Sequence, residues 1–219
     1  MNYVLVPIKA LAHGKSRLSA LLSDTQRHTL SQAMLRDVLT NLRHATSVDR
    51  FGVVTSDPGL LEIAQSLGAE AIDEGHPRGL NGAVAIGTEF CLQQGATALL
   101  VLLSDLPLVT SEDIDLLFCE TTEDPQVLLV TCKEGGGTNA LLRVPPLVMP
   151  TCFGGPSLEA HQICAQKDGL ACRVIEAPRI AFDIDSVEDL KLFASEPTVT
   201  HTYQALYELG VVAAFGQEG

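Results

Sequence analysis

The chain of 219 residues contains no hydrophobic run that approaches the roughly 20 residues of a membrane-spanning helix. Its first residues, Met1 to Pro7, have neither a basic segment nor a small-residue cleavage motif, so they predict a first β-strand and not a signal peptide. With 46% hydrophobic residues, the chain can still form a sizeable core. We therefore expect a cytoplasmic globular protein with no membrane partner.

Two common cysteine and histidine motifs are also missing. The six cysteines form no CxxC pair, and the six histidines form no HExxH pair. Because secretory features are lacking, the cysteines are expected to be reduced and packed as small hydrophobic side chains. We therefore expect neither a structural zinc site nor a disulfide framework.

Positive charge is scarce, since 14 Lys and Arg residues stand against 27 Asp and Glu residues, for a formal net charge of −13. A field of this sign repels nucleic acids and anionic membranes, so no nucleic-acid partner is expected. Any anion-binding site must be local. The basic residues Lys9, Lys15 and Arg17, which follow the first predicted strand, are the candidates for such a site.

The segment Gly14-Lys15-Ser16 resembles the end of a phosphate-binding P-loop. That motif requires a glycine five positions before Gly14, where this chain has Lys9, so a P-loop NTPase is disfavoured. A loop with three cations at the end of a strand suits a polyphosphate ligand. A solvated basic loop without a ligand is the alternative that these residues leave open.

Predicted strands alternate with predicted helices along the chain. Apolar runs such as Tyr3 to Pro7 and Ala98 to Leu103 suit strands buried on both faces. Capping boxes that begin at Ser23, Thr110 and Ser186 predict helix starts. The alternation predicts an α/β class with a three-layer α/β/α, Rossmann-like arrangement and a mostly parallel sheet.

Two features extend this architecture. A glycine-rich loop, Lys133 to Gly137, separates two predicted strands and predicts an antiparallel hairpin insertion. No linker is evident, so residues 1–219 are expected to form a single domain, with residues 200–219 as a C-terminal helix and tail. The apolar segment 211–215 of that tail is a candidate contact in a homodimer.

Three carboxylates follow apolar extended segments. Asp105 comes after the run from Ala98 to Leu103, and Asp183 and Asp185 lie in a predicted extended piece from Ile180 to Asp185. Alternation along an extended chain places Asp183 and Asp185 on one side, which suits a shared cation. Mg²⁺ prefers oxygen ligands and is typically held by one or two carboxylates plus substrate phosphates. We therefore predict a Mg²⁺ site here, the alternative being that Asp105 and Asp185 only cap the turn or helix that follows each.

Two glycine-rich segments offer backbone for binding a small phosphorylated acid. Thr138 follows three consecutive glycines, and Gly154 precedes Ser157 at the start of a predicted helix. His161, one helical turn after Ser157, is a further candidate contact. A simple turn and a structural histidine are the alternatives.

A series of ordered motifs resembles one known family. In chain order they are Val6-Pro7-Ile8-Lys9, Gly14-Lys15-Ser16-Arg17-Leu18, Thr55-Ser56-Asp57, Gly79-Leu80-Asn81, Ser104-Asp105-Leu106-Pro107, Gly137-Thr138-Asn139-Ala140-Leu141, Phe153-Gly154-x-x-Ser157-x3-His161 and Asp183-Ile184-Asp185. Together they resemble the guanylyltransferases of deazaflavin coenzyme F-420 biosynthesis, which are similar to the molybdopterin-guanine dinucleotide synthases. The resemblance spans roughly residues 3 to 193 and implies a nucleotidyltransferase fold.

The resemblance also implies a reaction. A phosphate oxygen of a three-carbon phospho-acid attacks the α-phosphorus of GTP, and pyrophosphate leaves. Phosphoenolpyruvate is the favoured acceptor, with 2-phospho-L-lactate and 3-phospho-D-glycerate as the others, and the product would pass to a downstream deazaflavin transferase. Because the second pKa of a phosphate monoester is about 6, the nucleophile is already ionised at neutral pH and needs no general base.

Residue roles follow from the same resemblance. Lys9, Lys15 and Arg17 would hold the GTP phosphates, and Gly79 and Asn81 would lie near the guanosine. The catalytic set would be Asp105, Lys15 and Arg17. The metal ligands would be Asp105, Asp183 and Asp185. The contacts to the phospho-acid would be Thr138, Gly154 and Ser157, with His161 within reach.

Two other functions stay open on the sequence. The chain could be a nucleotidyltransferase of the same fold that acts on a sugar phosphate or a cytidylyl acceptor. It could also be a non-catalytic GTP-binding domain. A comparison of GTP, CTP and ATP in one pyrophosphate assay separates these alternatives.

Overall fold

The computed structural model describes residues 1–9, 15–122 and 124–215, whose strands form one seven-stranded sheet. The strands are Asn2–Pro7 (β1), Arg50–Thr55 (β2), Glu70–Asp73 (β3), Ala98–Leu102 (β4), Gln126–Thr131 (β5), Thr138–Val144 (β6) and Ala171–Val174 (β7). Every residue of β4 is buried, as its continuous apolar run predicts for a strand covered on both faces.

The strand order is β3-β2-β1-β4-β6-β5-β7. The pairs from β3 to β4 are parallel, β6 is antiparallel to both of its neighbours, and β5 is parallel to β7. The sheet is therefore mostly parallel and contains the predicted antiparallel hairpin. Its strand β6 is almost wholly buried and pairs with β4 as well as β5, so the hairpin forms part of the sheet.

Helices cover both faces of the sheet. In chain order they are Asp24–His44 (α1), Pro58–Ser66 (α2), Gly79–Gln93 (α3), Ser111–Cys119 (α4), Ser157–Lys167 (α5), Pro178–Ala181 (α6), Val187–Ser195 (α7), His201–Glu208 (α8) and Val211–Phe215 (α9). Apolar side chains of α1, α2 and α4 share one core with the sheet, and those of α3 and α5 share another. Side chains of β1 alternate between the two cores, which gives the predicted three layers. Within the described ranges, no helix is both long and apolar enough to cross a membrane.

A third apolar cluster joins α1 to the C-terminal helices α7, α8 and α9. Val211, in the segment predicted as a dimer contact, is 6% exposed and packs in this cluster of its own chain. The buried carboxylate of Asp37 on α1 accepts hydrogen bonds from the backbone N–H groups of His201 and Thr202 and from the Thr202 hydroxyl. The start of α8 is therefore fastened to α1 by both apolar and polar contacts.

The segment before the two aspartates differs from its prediction. An extended piece from Ile180 to Asp185 was predicted, but Pro178 begins the short helix α6, which ends at Ala181. Proline suits the first helical position because its fixed φ fits a helix and its missing N–H is not needed there. Residues 182–185, which include Asp183 and Asp185, are non-helical.

The strand order reverses between β1 and β4, because β2 and β3 lie on one side of β1 and the later strands on the other. In open α/β sheets, ligands bind beyond the carboxyl ends of the strands at such a reversal. Lys9 follows the end of β1, and Asp105 follows the end of β4. The topology therefore places the predicted cationic and acidic groups at one edge of the sheet.

We expect the variant Asp37→Ala to lower the free energy of unfolding by about 1–3 kcal/mol, because the buried donors of Thr202 and His201 lose their acceptor. Urea denaturation followed by circular dichroism measures this loss. The control Asp24→Ala removes a carboxylate that is 95% exposed and should change the free energy by less than about 1 kcal/mol. Equal effects of the two variants would contradict the role given to Asp37.

Candidate active site

Three carboxylates converge beyond the carboxyl end of β4. Asp105 follows β4, whereas Asp183 and Asp185 lie between α6 and α7. The backbone N–H of Ile184 donates to the Asp105 carbonyl at 3.3 Å and so docks the second segment against the first. One oxygen of each carboxylate lies within 4.8 Å of the other two. The structure thus brings together the three acids that were predicted to bind a metal.

The side chain of Lys15 enters this acidic cluster. Its Nζ lies 2.5 Å from Asp105 Oδ2 and 2.6 Å from Asp185 Oδ1, and the side chain is 9% exposed. Burial alone lowers the pKa of a lysine, but the charges of Asp105 and Asp185 outweigh burial and raise the pKa of Lys15 above its usual value. The ammonium is therefore charged, and two of its three donors are used by carboxylates.

Asp183 is the most buried carboxylate of the three, and the two ion pairs of Lys15 are with the other two acids. Asn139 Nδ2 donates to Asp183 Oδ1 at 3.1 Å and also to the backbone carbonyl of Ile180 at 3.0 Å. Burial, followed by the charge of Asp105, raises the pKa of Asp183 to about 6. Asn139, whose backbone belongs to β6, thus orients Asp183, a role that the sequence alone did not assign.

The acidic cluster has the donor set that a hard divalent cation requires. Asp105 Oδ1 is buried and has no hydrogen-bond partner among the described residues. An orphaned buried carboxylate oxygen is unfavourable unless a proton donor or a cation reaches it. Three carboxylate oxygens suit Mg²⁺, which binds oxygen ligands and retains waters in its remaining positions. The residues present therefore fit the predicted metal.

A fourth carboxylate, that of Asp189, holds the segment that carries two of these acids. It accepts hydrogen bonds from the backbone N–H groups of Asp185 and Ser186 and from the Ser186 hydroxyl, and it forms an ion pair with Lys133. The capping box that begins at Ser186 predicts the contacts between Ser186 and Asp189. The link to Lys133, which is distant in sequence, had no local pattern that would predict it.

A hydroxyl network lies at the start of α5. Ser157 Oγ donates to Thr138 Oγ1 at 3.1 Å, and both residues are almost fully buried. The Thr138 oxygen lies 3.2 Å from Nδ1 of His161. The structure therefore joins three of the four residues that were predicted to hold the phospho-acid.

His161 lies behind Thr138 and does not face solvent, since it is 0% exposed. Its Nε2 accepts from the backbone N–H of Cys152 at 2.9 Å, so Nδ1 carries the proton of the neutral ring and donates to Thr138. Burial, together with the charge of Arg143, lowers the pKa of His161 to about 4 and keeps the ring neutral. Both ring nitrogens are thus engaged within the protein, Nδ1 with Thr138 and Nε2 with Cys152, so His161 positions Thr138, and its contact with the ligand stays a prediction.

Asn81, which was predicted to lie near the guanosine, forms two hydrogen bonds with the backbone of Phe153. Its amide donates to the Phe153 carbonyl at 2.8 Å and accepts from the Phe153 N–H at 2.9 Å. Asn81 thus ties α3 to the segment that contains Gly154. Gly154 itself has a φ of +106°, a backbone conformation that other residues rarely adopt.

The other predicted nucleotide contacts lie at the same edge of the sheet. Lys9 and Arg17 are exposed, and Gly79 is exposed at the first position of α3 with a φ of +72°. Residues 10–14, which include the predicted Gly14, lie outside the described residues. The structure therefore leaves Lys9 and Arg17 accessible, whereas Lys15 is already engaged with the acidic cluster.

The fold and the site together define a class of protein. A Rossmann-like sheet with clustered carboxylates and a lysine at its strand-order reversal is the arrangement of a nucleotidyltransferase. A nucleotidyl transferase from Methanothermobacter thermautotrophicus shares this fold, with a TM-score of 0.60 and 12% identity, covering 100% of this chain and 99% of that chain.

The chain belongs to the CofC-like guanylyl transferase family, whose model matches residues 2–218. A phosphoenolpyruvate guanylyltransferase from Rubrobacter xylanophilus is 42% identical over 86% of this chain and 91% of the relative. A 2-phospho-L-lactate guanylyltransferase from Methanothermobacter thermautotrophicus is 33% identical over 94% of this chain and 89% of the relative. These similarities confirm the family that the ordered motifs indicated.

We expect Asp183→Asn to stabilise the metal-free protein at pH 7.5 by about 1–3 kcal/mol. The folded-state pKa of about 6 lies above the ordinary value of 3.8, so the native state binds more protons than the unfolded state between these values. Stability therefore falls as the pH rises through this window, and the asparagine variant avoids that loss. Urea denaturation in EDTA at pH 7.5 and pH 4.5 measures the difference, which should shrink at the lower pH.

The matched control is Asp185→Asn, which removes an exposed partner of Lys15. This variant should leave the stability unchanged or reduce it, because the lost carboxylate contributes a favourable ion pair. A stability gain in Asp185→Asn as large as that in Asp183→Asn would show that general repulsion in the acidic cluster, and not the burial of Asp183, sets the effect.

Proposed function

We propose that this protein transfers GMP from GTP to the phosphate of a three-carbon phospho-acid. An oxygen of the acceptor phosphate forms a bond to the α-phosphorus of GTP. The bond from that phosphorus to the bridging oxygen breaks, and pyrophosphate leaves with the electron pair. The convergence of Asp105, Asp183 and Asp185 in a member of the guanylyl transferase family carries this proposal.

The three carboxylates are proposed to hold Mg²⁺. When bound, this ion would neutralise charge on the phosphates that must approach one another. The chain's own contribution is to supply anionic ligands: Asp105 offers an unpartnered oxygen, and Asn139 fixes the orientation of Asp183. Since the pKa of Asp183 is about 6, a nearby positive charge favours its ionised form at neutral pH.

The cationic side chains are proposed to bind the triphosphate. Two N–H donors of Lys15 bind carboxylates, and the third would be available to a phosphate oxygen. Lys9 and Arg17 are exposed and would supply further positive charge. The net charge of the whole chain is −13, so the positive charge that attracts the triphosphate would have to come from these side chains.

The hydroxyl network is proposed to bind the acceptor. Thr138 accepts hydrogen bonds from Ser157 and from His161, so its own O–H proton is free to be donated to a phosphate oxygen. Gly154 lies in an exposed turn before α5, where backbone N–H groups are accessible to an anion. No side chain is needed as a general base, because the acceptor phosphate is already ionised at neutral pH.

Phosphoenolpyruvate is the acceptor that we favour, since the phosphoenolpyruvate guanylyltransferase relative is 42% identical and the 2-phospho-L-lactate relative is 33% identical. The latter acid and 3-phospho-D-glycerate are the other candidates. The product would serve coenzyme F-420 biosynthesis in the cytoplasm and pass to a downstream deazaflavin transferase.

A mass-spectrometric assay tests the proposal. The protein is incubated with Mg²⁺, one of GTP, CTP or ATP, and one of the three phospho-acids, coupled to the deazaflavin transferase because the product is reactive. Turnover is expected with GTP. Preference for CTP would indicate a cytidylyl transfer, and GTP binding without turnover across all acceptors would indicate a non-catalytic GTP-binding domain.

We expect Asp105→Asn to lower the pyrophosphate release rate at least about a hundredfold, because the acidic cluster loses a charged ligand and Lys15 loses a partner. The circular dichroism spectrum should not change, as the substitution preserves the shape of the side chain. Glu62→Gln, on the exposed surface of α2, is the charge-matched control and should retain full activity. Full activity in Asp105→Asn would contradict the proposed metal site.

A further inference from the structure

Glu74 is a carboxylate to which the proposed reaction gives no role. It follows β3 in the loop that leads to α3, and it is 6% exposed. Its Oε2 is buried and accepts no hydrogen bond from any described residue. A buried acceptor without a donor is unfavourable, so a ligand that brings N–H donors to this oxygen would gain from the contact.

Glu74 lines a mainly apolar pocket beside the proposed phosphate-binding residues. The other pocket residues that matter here are Ile8, Lys9, Pro77, Leu80 and Ala83. Two backbone hydrogen bonds hold the pocket segments against β2. The N–H of Ile8 donates to the Val54 carbonyl, and the N–H of Glu74 donates to the Thr55 carbonyl. Apolar walls with a small number of polar groups, here Glu74 and Lys9, are typical of a site for a small organic ligand.

We propose that Glu74 selects the base of the nucleotide by accepting hydrogen bonds from the N1–H and 2-amino groups of guanine. This inference rests on the proposed function, since it places the base of GTP in the pocket and its phosphates toward Lys9 and the acidic cluster. Lys9 lines the pocket and follows the end of β1, the strand that lies between β2 and β4 in the sheet. The pocket and the acidic cluster lie beyond the ends of four adjacent strands, in the order β3-β2-β1-β4. Adjacent strands are about 4.8 Å apart, so one nucleotide can extend from the pocket to the cluster.

A carboxylate discriminates among bases by its inability to donate. Guanine presents two adjacent N–H donors on one edge, which match the two oxygens of a carboxylate. Adenine and cytosine present an unprotonated ring nitrogen at the corresponding position. If either base occupied the pocket, this nitrogen would face an oxygen of Glu74, and neither atom could donate a hydrogen bond to the other. Rejection of an analogue that leaves a buried polar group unpaired is the stronger form of selectivity available to a site.

Asn81, which had been predicted near the guanosine, is less suited to this task. Both ends of its amide are used by the Phe153 backbone. The carboxylate of Glu74, by contrast, has an oxygen with no partner in the described part of the chain. Base selection is therefore assigned to Glu74, and Asn81 is assigned to holding α3 against the acceptor-binding segment.

Isothermal titration calorimetry tests this assignment with the full chain, Mg²⁺ and no phospho-acid. The ligands are GTP, ITP, which lacks the 2-amino group, and XTP, which carries an oxygen in its place. Wild-type protein should bind GTP about tenfold or more tighter than ITP. In Glu74→Gln, whose amide donates to the XTP oxygen, the affinity for XTP relative to GTP should rise by about a hundredfold over wild type.

Asp73→Asn is the matched control, because it removes a neighbouring exposed charge and should preserve the wild-type order of affinities. Equal affinity of wild-type protein for GTP and ITP, or an unchanged ratio of XTP to GTP in Glu74→Gln, would overturn the assignment. The wild-type comparison of GTP with ITP keeps the assignment testable if Glu74→Gln does not fold.

Failure of this inference can be told apart from failure of the proposed function. Preferential binding of GTP over ITP without pyrophosphate release from any acceptor would support Glu74 and overturn the transferase activity. Turnover of GTP together with equal binding of GTP and ITP would support the activity and overturn the role of Glu74. A protein that binds none of the three nucleotides would overturn both.

Discussion

Mutual repulsion among three carboxylates is the constraint on which the site depends. Asp105, Asp183 and Asp185 have oxygens within 4.8 Å of one another, a separation at which like charges repel one another strongly. The chain offsets this repulsion in two ways. Lys15 places a buried ammonium against two of the acids, and Asn139 donates to the third. The cluster therefore remains assembled and anionic, which is the state that a divalent cation requires.

The fold imposes this crowding through elements that are stable for other reasons. Strand β4 is buried along its whole length, so the position of Asp105 beyond its end is fixed by core packing. The opposing segment is held at both ends, by the contact from Ile184 to Asp105 and by Asp189 at the start of α7. Asp189 in turn pairs with Lys133 from the β5–β6 loop. Residues from three separate parts of the chain thus restrain one cluster, and no single local pattern encodes it.

Features set by local sequence were predictable, and features set by tertiary contacts were not. The apolar run of β4 and the capping box at Ser186 are local, so they correctly placed Asp105 and Asp185 at the ends of elements. The pairing of β6 with β4 depends on which strand of the folded sheet has an unpaired side. The sequence pattern predicted only the hairpin of β5 and β6. The hydrogen bonds of His161 and Asn81 could not be predicted for the same reason. Their side chains are used by the backbone of Cys152 and Phe153, residues that are brought near by folding.

The position of the acidic cluster also explains how one sheet can serve two anionic substrates. Strand β4 has β1 on one side and β6 on the other, so the proposed nucleotide-binding residues after β1 and the proposed acceptor-binding Thr138 of β6 flank it. The two phosphates would approach from opposite sides and meet where the carboxylates can hold a cation between them. If the cluster followed one of the two outermost strands, it would have a neighbouring strand on one side alone, and one of the two substrates would have no strand beside the cluster to bind it. A central strand at the order reversal is therefore the position from which a single metal site can contact both, and the burial of β4 keeps that position fixed.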